Sequence, residues 1–420
     1  MDVLYDVTNL GLAFGTELTR TGIFRATESY VRAVLQDAEV HSRFAAMESY
    51  VGEVQLTRFD RAQRLLGHRL VSAWAGGGTG LAASIDLVDR VLGADASSAE
   101  GRRLSAELRL VNRTARARSL SEEFDVYHSL RHALVGRERV TARARAVTIH
   151  DMVPFLFPEL TEERFVEQHR AILGSIDRER DWIACSSECT KADFCGMTGM
   201  SAERVFVTPF AAAADVFRPE CDRARIASVL ARHGVGGRPY VLSLGTLEPR
   251  KNLARLIRAF FALVEDRRWP ELLLVLVGPT GWKAEALFAS LDERPALRDR
   301  IVLTGYVPDE DLSALYSGAR AFVFPSLYEG FGLPVLEAMQ CGVPVIASRT
   351  SSLPEVVGDG ALTVDPADQD ALAQAMLDVL SDAGLAEALV RRGLERASQF
   401  TWARTVESTV EAYRAMLAGS

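Results

Sequence analysis

The chain of 420 residues is longer than one compact core allows, since single cores stop growing at roughly 250 to 300 residues, so two domains are expected. Its composition, 48% hydrophobic and 25% charged, is typical of a soluble globular protein. The formal net charge of -8 argues against nucleic acid as the main partner, because nucleic-acid-binding domains are usually strongly basic.

The N-terminal residues MDVLYDVTNLG predict a first strand, because they lack the basic segment and apolar core of a secretory signal peptide. The longest apolar runs, such as LLLVLV at 272–277, are far shorter than the roughly 20 residues of a membrane span. The five cysteines lack the paired spacing of a zinc site and are interpreted as reduced thiols. These features predict a cytoplasmic protein.

Short apolar runs alternate with helical patterns along both halves of the chain. Strands are predicted at 3–7, 125–129, 145–151, 182–187, 204–209, 239–245, 271–278, 300–305, 321–325 and 343–348, with the weakest pattern between 50 and 120. Helices are predicted near 22–37, 161–178, 188–197, 252–266 and 401–417. Such alternation predicts two Rossmann-like, doubly wound α/β domains, 1–220 and 221–398, and the cleft between them is the expected site.

The stretch SLYEGFGLPVLEAMQC at 326–341 places Glu329 and Glu337 on either side of an otherwise apolar loop. Pro334 suits the first position of a helix, and the two glycines before it would let a ligand approach the backbone. A helix N-terminus offers N–H groups to an anion, and carboxylates accept hydrogen bonds from hydroxyls. Each acid alone has a structural explanation, in solvation or in the helix dipole. Together they favour a sugar joined to a diphosphate.

EGFGLPVLE, followed by AMQCGVPVIASRTSSLPEVVGDGALTVDP, resembles the retaining family 4 glycosyltransferases of GT-B fold. LGTLEPRKNLARLIRAF, GYVPDEDLSALYSGA and FTWARTVESTVEAY extend the similarity over nearly all of 239–417, with fainter matches in TGIFRATESYVRAVL, VTIHDMVPFLFPE and SSECTKADF. The resemblance implies an acceptor-binding N-terminal domain and a nucleotide-sugar-binding C-terminal domain. It also implies that the segment 399–420 returns as a helix to the N-terminal domain.

The resemblance implies donor-binding roles in the C-terminal domain. Glu337 would bind the ribose hydroxyls, Glu329 the hydroxyls of the donor sugar, and Lys251 the diphosphate. Many relatives carry an arginine where this chain has Thr246, so either Arg250 replaces it or the contact with the phosphates is weaker. Donor-binding residues are expected to be Thr246, Arg250, Lys251, Tyr306, Val307, Glu329, Gly330, Phe331, Gly332, Leu333 and Glu337. RKN at 250–252 also has a structural explanation, in which Asn252 caps the next helix.

His150 and Asp151, at the end of RAVTIHD, match the family's histidine and aspartate near the acceptor side of the cleft. The resemblance implies that His150 hydrogen-bonds the donor sugar, while Asp151 either orients His150 or contacts the acceptor. With Lys251 and Glu329 they form the expected catalytic set. Gly22 and Arg25, in the match to the family's glycine loop, are assigned to the acceptor side, although Thr21 stands where a second glycine is usual.

The function implied is retaining transfer of a sugar, with mannose from GDP-mannose favoured, to a saccharide or lipid-linked saccharide acceptor. The leaving phosphate oxygen would take the proton of the acceptor, so no protein nucleophile is required. No metal and no separate cofactor are expected, since Arg250, Lys251 and the helix N-terminus supply a positive field. DED at 309–311 resembles a manganese-binding triplet, but Asp309 after Pro308 is better explained as a helix N-cap.

Two other functions stay open. A non-catalytic subunit that kept the GT-B fold would bind no nucleotide. A nucleotide-dependent oxidoreductase would rest on GGGTGLAA at 76–83, which contains the G-x-G-x-x-A of dinucleotide sites. Separately, the arginine-rich helix at 101–118 is interpreted as a solvated face, with peripheral docking on an anionic inner membrane as the alternative.

Overall fold

Buried apolar strands organise the chain into two main sheets, one from each half. The computed structural model describes residues 1–12, 22–75, 80–265 and 268–419. Within these ranges the strands are β1 Asp2–Asp6, β2 His41–Ala45, β3 Trp74–Ala75, β4 Arg116–Ala117, β5 Glu123–Ser129, β6 Thr141–Ile149, β7 Trp182–Cys185, β8 Val205–Val207, β9 Tyr240–Leu244, β10 Leu273–Val277, β11 Ile301–Gly305, β12 Ala321–Phe324, β13 Val345–Ser348 and β14 Ala361–Val364. The helices are α1 Thr8–Leu12, α2 Gly22–Val34, α3 Tyr50–Gln63, α4 Leu81–Gly93, α5 Ala99–Thr114, α6 Val153–Leu156, α7 Glu163–Gly174, α8 Glu188–Thr198, α9 Arg223–Arg232, α10 Leu253–Glu265, α11 Glu285–Asp292, α12 Asp309–Ser317, α13 Leu333–Gln340, α14 Leu353–Val357, α15 Gln369–Ser381, α16 Ala383–Ala397 and α17 Trp402–Ala418.

Both main sheets are parallel and doubly wound, which confirms the predicted fold class. Among the described residues, the first sheet has the strand order β2-β1-β5-β6-β7-β8 and the second β11-β10-β9-β12-β13-β14. In sheets of this kind, ligands bind beyond the carboxyl ends of the strands, where the strand order reverses. The reversal falls between β1 and β5 in the first sheet and between β9 and β12 in the second. The loops after these strands are therefore the ones that form the site.

Each main sheet is buried on both faces by helices. In β9, Val241 and Leu242 belong to different apolar clusters, because successive residues of a strand point to opposite faces. In β1, Leu4 and Tyr5 are divided in the same way. This double burial explains why the strands are nearly continuous apolar runs.

The segment between 50 and 120, whose pattern is weakest, contains α3, α4 and α5 with a short antiparallel pair, β3 and β4. Residues 76–79 of the glycine-rich stretch lie outside the described residues. Since β3 pairs antiparallel with β4, the segment does not follow the parallel βαβ course that a dinucleotide fingerprint requires. On α5, Leu104 and Val111 are buried and the arginines point outward, so membrane docking stays a prediction. In the part of the chain that the structure describes, no helix has the length and apolarity of a membrane span.

The chain crosses between the halves twice. After β8, Ala212 and Phe217 already pack in the core of the second half, before the predicted boundary at 221. Near the C-terminus, α17 places Val406 and Tyr413 in the core of the first half. There the Tyr413 hydroxyl lies 2.6 Å from His128 Nδ1. The last helix is thus part of the N-terminal core.

Candidate active site in the interdomain cleft

The loop from β12 to α13 forms the floor of the cleft. Gly332 has a φ of 108°, and a Cβ added there would lie 2.6 Å from Leu353 Cδ2, so only glycine fits. α13 begins at Leu333. Pro334 therefore occupies the second helical position, whereas the sequence predicted the first. Gly332 is therefore required for close packing against Leu353 at the point where the chain enters α13.

Glu329 is held by two cations. Its Oε1 lies 2.6 Å from Lys251 Nζ and its Oε2 lies 2.7 Å from Arg250 Nη1. Burial alone would raise the pKa of Glu329, but Arg250 and Lys251 outweigh burial and lower that pKa to about 2. Glu329 is consequently a fixed negative charge at any physiological pH.

Arg250 and Lys251 reach this position from a 3₁₀ turn, Pro249–Lys251, that follows β9. The Lys251 side chain runs along Gly245, with Cε 3.3 Å from where a Cβ would be, and Nζ sits 4.9 Å from the centre of the Phe324 ring. Burial and the neighbouring Arg250 charge lower the pKa of Lys251. Burial also opposes the charge on Arg250, but the carboxylates of Glu329 and Glu248 outweigh it and raise the pKa of Arg250. Two buried cations thus share the site.

Asn252 lies at the N-cap position of α10, as the structural explanation of RKN predicted, and its carbonyl oxygen accepts from the N–H of Leu256 at 3.2 Å, but its side chain bonds elsewhere. It adopts a left-handed backbone with a φ of 57°. Its Nδ2 donates to the carbonyl oxygens of Pro325 and Pro366, at 3.1 and 2.8 Å. Asn252 therefore ties the turn that carries Lys251 to the loop after β12.

Glu337 is buried behind the loop, with 2% of the residue exposed. Oε2 accepts a hydrogen bond from the Tyr316 hydroxyl at 3.0 Å, and Oε1 lies 2.9 Å from Arg25 Nη2. Burial raises the pKa of Glu337, and Arg25 and Tyr316 act against that rise. Glu337 and Glu329 belong to one loop and helix, yet each has its own set of partners.

Gly22 and Arg25, assigned to the acceptor side, instead lie against the donor loop. A Cβ on Gly22 would be 3.9 Å from Leu333 Cδ1. Arg25 reaches from α2 to Glu337, and its Nη1 is 3.0 Å from Asp309 Oδ1. These contacts place Arg25 beside the donor loop, which a local motif could not reveal, and its assignment to the acceptor side stays a prediction. The neighbouring Thr21 lies outside the described residues.

The acids of DED do not converge on one point. Asp309 lies in the first turn of α12 and pairs with Arg25, so it is not the side-chain N-cap that was predicted. Asp311 pairs on the other side with Arg232, at 3.1 Å, and with His233, at 2.8 Å. Among the described residues, no three His, Cys, Asp or Glu side chains are grouped as metal ligands.

The two halves of the protein meet at Gly330. Its carbonyl oxygen accepts hydrogen bonds from Ser186 Oγ, Ser187 Oγ and Thr190 Oγ1, at 3.2, 2.6 and 3.1 Å. Nearby, the carboxylate of Glu355 accepts from the first backbone N–H groups of α8. Sequence reasoning missed these contacts, although the polar run SSECT after a strand was a signal for them.

His150 lies at the end of β6, facing this junction. Its Nε2 is 2.8 Å from the carbonyl oxygen of Leu130, which makes Nε2 the protonated nitrogen and leaves Nδ1 as an acceptor. Nδ1 is buried and meets no hydrogen-bond partner among the described residues. Asp151 does not orient His150, because its Oδ1 accepts from the backbone N–H of Val153 at 3.0 Å. The orienting group is therefore the carbonyl of Leu130.

Acidification is expected to destabilise the protein through His150. Burial and the Arg131 charge lower the pKa of His150 from 6.5 to about 4. Between these values the unfolded chain binds more protons than the folded protein, so the free energy of unfolding falls as the pH drops through that window. Between pH 7.5 and 5, this one group should cost about 2 kcal/mol.

Urea denaturation of the wild type and His150→Asn at both pH values checks this expectation. The variant has no titratable group at that position and should lose about 2 kcal/mol less on acidification. Equal losses in the two proteins would mean that His150 is not held neutral by the fold.

The other donor-side candidates lie in the second half of the protein and differ in burial. Thr246 packs against Gly281, because a Cβ on that glycine would lie 2.6 Å from Thr246 Cγ2. Val307 is buried in the core of the second half, while Tyr306, beside it, is half-buried. Phe331 is buried and packs edge-to-face on Phe210, with 5.7 Å between ring centroids. Val307 and Phe331 therefore belong to the packed core of the second half, and their donor-binding role stays a prediction.

Known proteins share this architecture and sequence. Residues 231–396 match the family model described as glycosyl transferases group 1. The O-antigen chain mannosyltransferase B of Escherichia coli is 40% identical over 274 residues, which are 64% of this chain and 70% of that protein. A GDP-mannose-dependent alpha-(1-6)-phosphatidylinositol monomannoside mannosyltransferase of Mycolicibacterium smegmatis is 36% identical over 230 residues, 52% of this chain and 58% of the relative.

Solved structures agree on the fold. The sucrose-phosphate synthase of Thermosynechococcus elongatus superposes with a TM-score of 0.66 at 21% identity. The superposition covers 100% of this chain and 99% of that one. The similarity therefore extends over both halves and the cleft between them.

Proposed function

The chain belongs to the group 1 glycosyl transferases, and we propose that it transfers mannose from GDP-mannose to a saccharide or lipid-linked saccharide acceptor, with retention of configuration and without a metal ion. The observation that carries this proposal is the arrangement around the β12–α13 loop. Glu329, bound by Arg250 and Lys251, precedes the start of α13, and the buried Glu337 lies within that helix. Such a loop offers acceptors to sugar hydroxyls and cations to a diphosphate.

The cations explain how the leaving group would be stabilised. When the glycosidic bond breaks, negative charge develops on the phosphate oxygen that departs. Lys251 and Arg250 are fixed and buried, so they need little rearrangement to meet that charge. Donor entry would replace part of their contact with Glu329 by contact with the diphosphate, which also releases Glu329 toward the sugar hydroxyls.

His150 supports binding of the donor sugar from the opposite half. Its unprotonated Nδ1 is suited to accept a hydrogen bond from a hydroxyl group, because Nε2 is fixed on the Leu130 carbonyl. The low pKa keeps this nitrogen an acceptor at neutral pH. In the proposed front-face reaction, the departing phosphate oxygen takes the proton of the acceptor hydroxyl, and the bond forms on the face that the phosphate leaves.

The choice of mannose and of guanosine rests on the relatives. Mannosyl transfer stands in the name of the Escherichia coli protein, and GDP-mannose in that of the Mycolicibacterium smegmatis protein. The acceptor is proposed only as a class, because the relatives differ in what they extend.

A thermal-shift panel of GDP, UDP, dTDP, ADP and NAD, with and without EDTA, is the first test. A ligand that binds only the folded protein raises its melting temperature, so GDP should give the largest shift and EDTA should not reduce it. The anomeric configuration of the product, measured by NMR, tests retention. A shift with NAD alone, or loss of the GDP shift in EDTA, would contradict the proposal.

Glu337→Gln tests the ribose contact directly. The amide keeps the shape but removes the charge that strengthens hydrogen bonds from hydroxyls, so the Kd for GDP should rise about tenfold in calorimetry. Glu293→Gln, which alters a surface pair with Arg258, is the matched control and should bind as the wild type does. An unchanged Kd in Glu337→Gln would remove Glu337 from the nucleotide site.

A further inference from the structure

The carboxylate that is proposed to bind ribose is buried, with Glu337 2% exposed, and each of its oxygens already accepts a hydrogen bond from a protein group. Tyr316 uses one oxygen of Glu337, and Arg25 uses the other. Tyr316 belongs to the same half as Glu337, but Arg25 comes from α2 in the other half. Because Glu337 is buried, a ribose can reach its carboxylate only by displacing one of these two groups, and Arg25 is the one that belongs to the other domain.

We propose that Arg25 is a gate on the donor site, which occupies Glu337 in the donor-free protein and which the ribose hydroxyls of the nucleotide displace. This inference rests on the proposed role of Glu337. It makes Arg25 a residue that sets donor affinity, although it is not part of the chemistry.

The guanidinium of Arg25 can leave Glu337 without losing every partner. Its Nη1 is 3.0 Å from Asp309 Oδ1, and its Cζ lies 5.4 Å from the centre of the Phe217 ring. The side chain of Asp309 is 21% exposed, whereas that of Glu337 is 2% exposed. The contact with Asp309 can thus adjust while the buried contact with Glu337 breaks.

Arg25 also has space to move into. It lines a groove of about 690 Å³ between α2 and the segment that leads to α9. The same groove carries the carboxylates of Glu28, Asp215 and Glu310. Movement of the guanidinium toward these groups requires a change of side-chain rotamer and leaves α2 in place.

The gate adds to the contact energy between the domains in the donor-free protein. Arg25 and Gly22 hold one side of the donor loop, at Glu337 and Leu333, while the hydroxyls of α8 and its preceding loop hold Gly330. Displacement of Arg25 frees the first side and leaves the second intact. Donor binding would therefore loosen the cleft at the ribose end only.

Calorimetric titration of GDP, with UDP as a second ribose-bearing probe, tests the gate. Arg25→Gln should lower the Kd about tenfold, because the nucleotide no longer displaces a charged hydrogen-bonding partner. Arg25→Lys keeps the charge, but its ammonium group cannot contact Glu337 and Asp309 through two separate nitrogens as arginine does. The decrease in Kd should therefore be smaller. Arg32→Gln is the matched control, since Arg32 lies on the same helix and groove but pairs with Glu28.

Each outcome decides one question. If Arg25→Gln and Arg25→Lys bind the nucleotide as the wild type does or more weakly, the gate is wrong, and weaker binding would mean that Arg25 holds the donor. If Glu337→Gln retains full affinity, the ribose assignment fails instead, whatever the arginine variants do. The melting temperature of each variant identifies any that does not fold, and either arginine variant alone is sufficient for the test.

Discussion

Lys251→Met is expected to lower kcat by about 10²- to 10³-fold, the loss seen when one preorganised group that stabilises developing negative charge is removed. Methionine keeps about the length of the side chain beside the Phe324 ring but removes the ammonium group. Arg250 remains 2.7 Å from Glu329, so the carboxylate is not left without a cation. The variant should therefore fold, and its defect should appear in turnover.

Initial rates at saturating donor, together with the melting temperature, measure this effect. Arg258→Met removes a cation from the surface pair with Glu293 and should leave kcat unchanged. A normal kcat in Lys251→Met would exclude the phosphate role. A collapse of the melting temperature would show a structural role instead.

Gly330→Ala is expected to hold the cleft open and to reduce kcat by about 100-fold, since a displacement near 1 Å of the reacting groups has effects of this size. The new Cβ would lie 1.9 Å from the carbonyl oxygen of His150 and 2.7 Å from Asp151 Cβ. Backbone atoms cannot yield as a flexible side chain can. The second half carries Glu337 and Lys251 and should still bind GDP.

Small-angle scattering, GDP titration and initial rates together test this result. The radius of gyration should increase, GDP affinity should change little, and turnover should fall. Gly196→Ala is the matched control, because a Cβ at this position in α8 meets nothing within 4 Å. A closed, fully active Gly330→Ala protein would show that the contact at Gly330 is not needed for catalysis.

The fold follows from local patterns wherever strands are buried on both faces. In α10, the predicted apolar stripe that includes Leu256, Ile257 and Phe260 is fully buried. The region between 50 and 120 lacks such a pattern: α4 and α5 pack with one face of α3 around a small cluster of their own, while Leu56 and Phe59 of α3 join the main core of the first half. Its helices depend on tertiary contacts that the local sequence does not specify.

Some residues of the candidate site could likewise be predicted from the sequence, and others could not. Glu329 and Glu337 stand out in the sequence because two acids flank an apolar loop, whereas the role expected of Lys251 is implied by the family resemblance. The position of Arg25 could not be predicted, since it contacts Glu337 across 312 positions of the chain. Likewise, the three hydroxyls on the Gly330 carbonyl belong to the other half of the protein. Contacts between domains produce no periodic pattern in the sequence.

The packing of α17 has a consequence for the order of folding during synthesis. Val406, Val410, Tyr413 and Met416 complete the core of the first half, but the ribosome makes them after the whole second half. The second domain is contiguous in sequence and can finish folding first, against the usual N-terminal-first order. In the meantime, the nascent first domain exposes the apolar surface that α17 later covers. A chimera that exchanges the donor-binding half must therefore keep 402–418 with the N-terminal half to which that helix belongs.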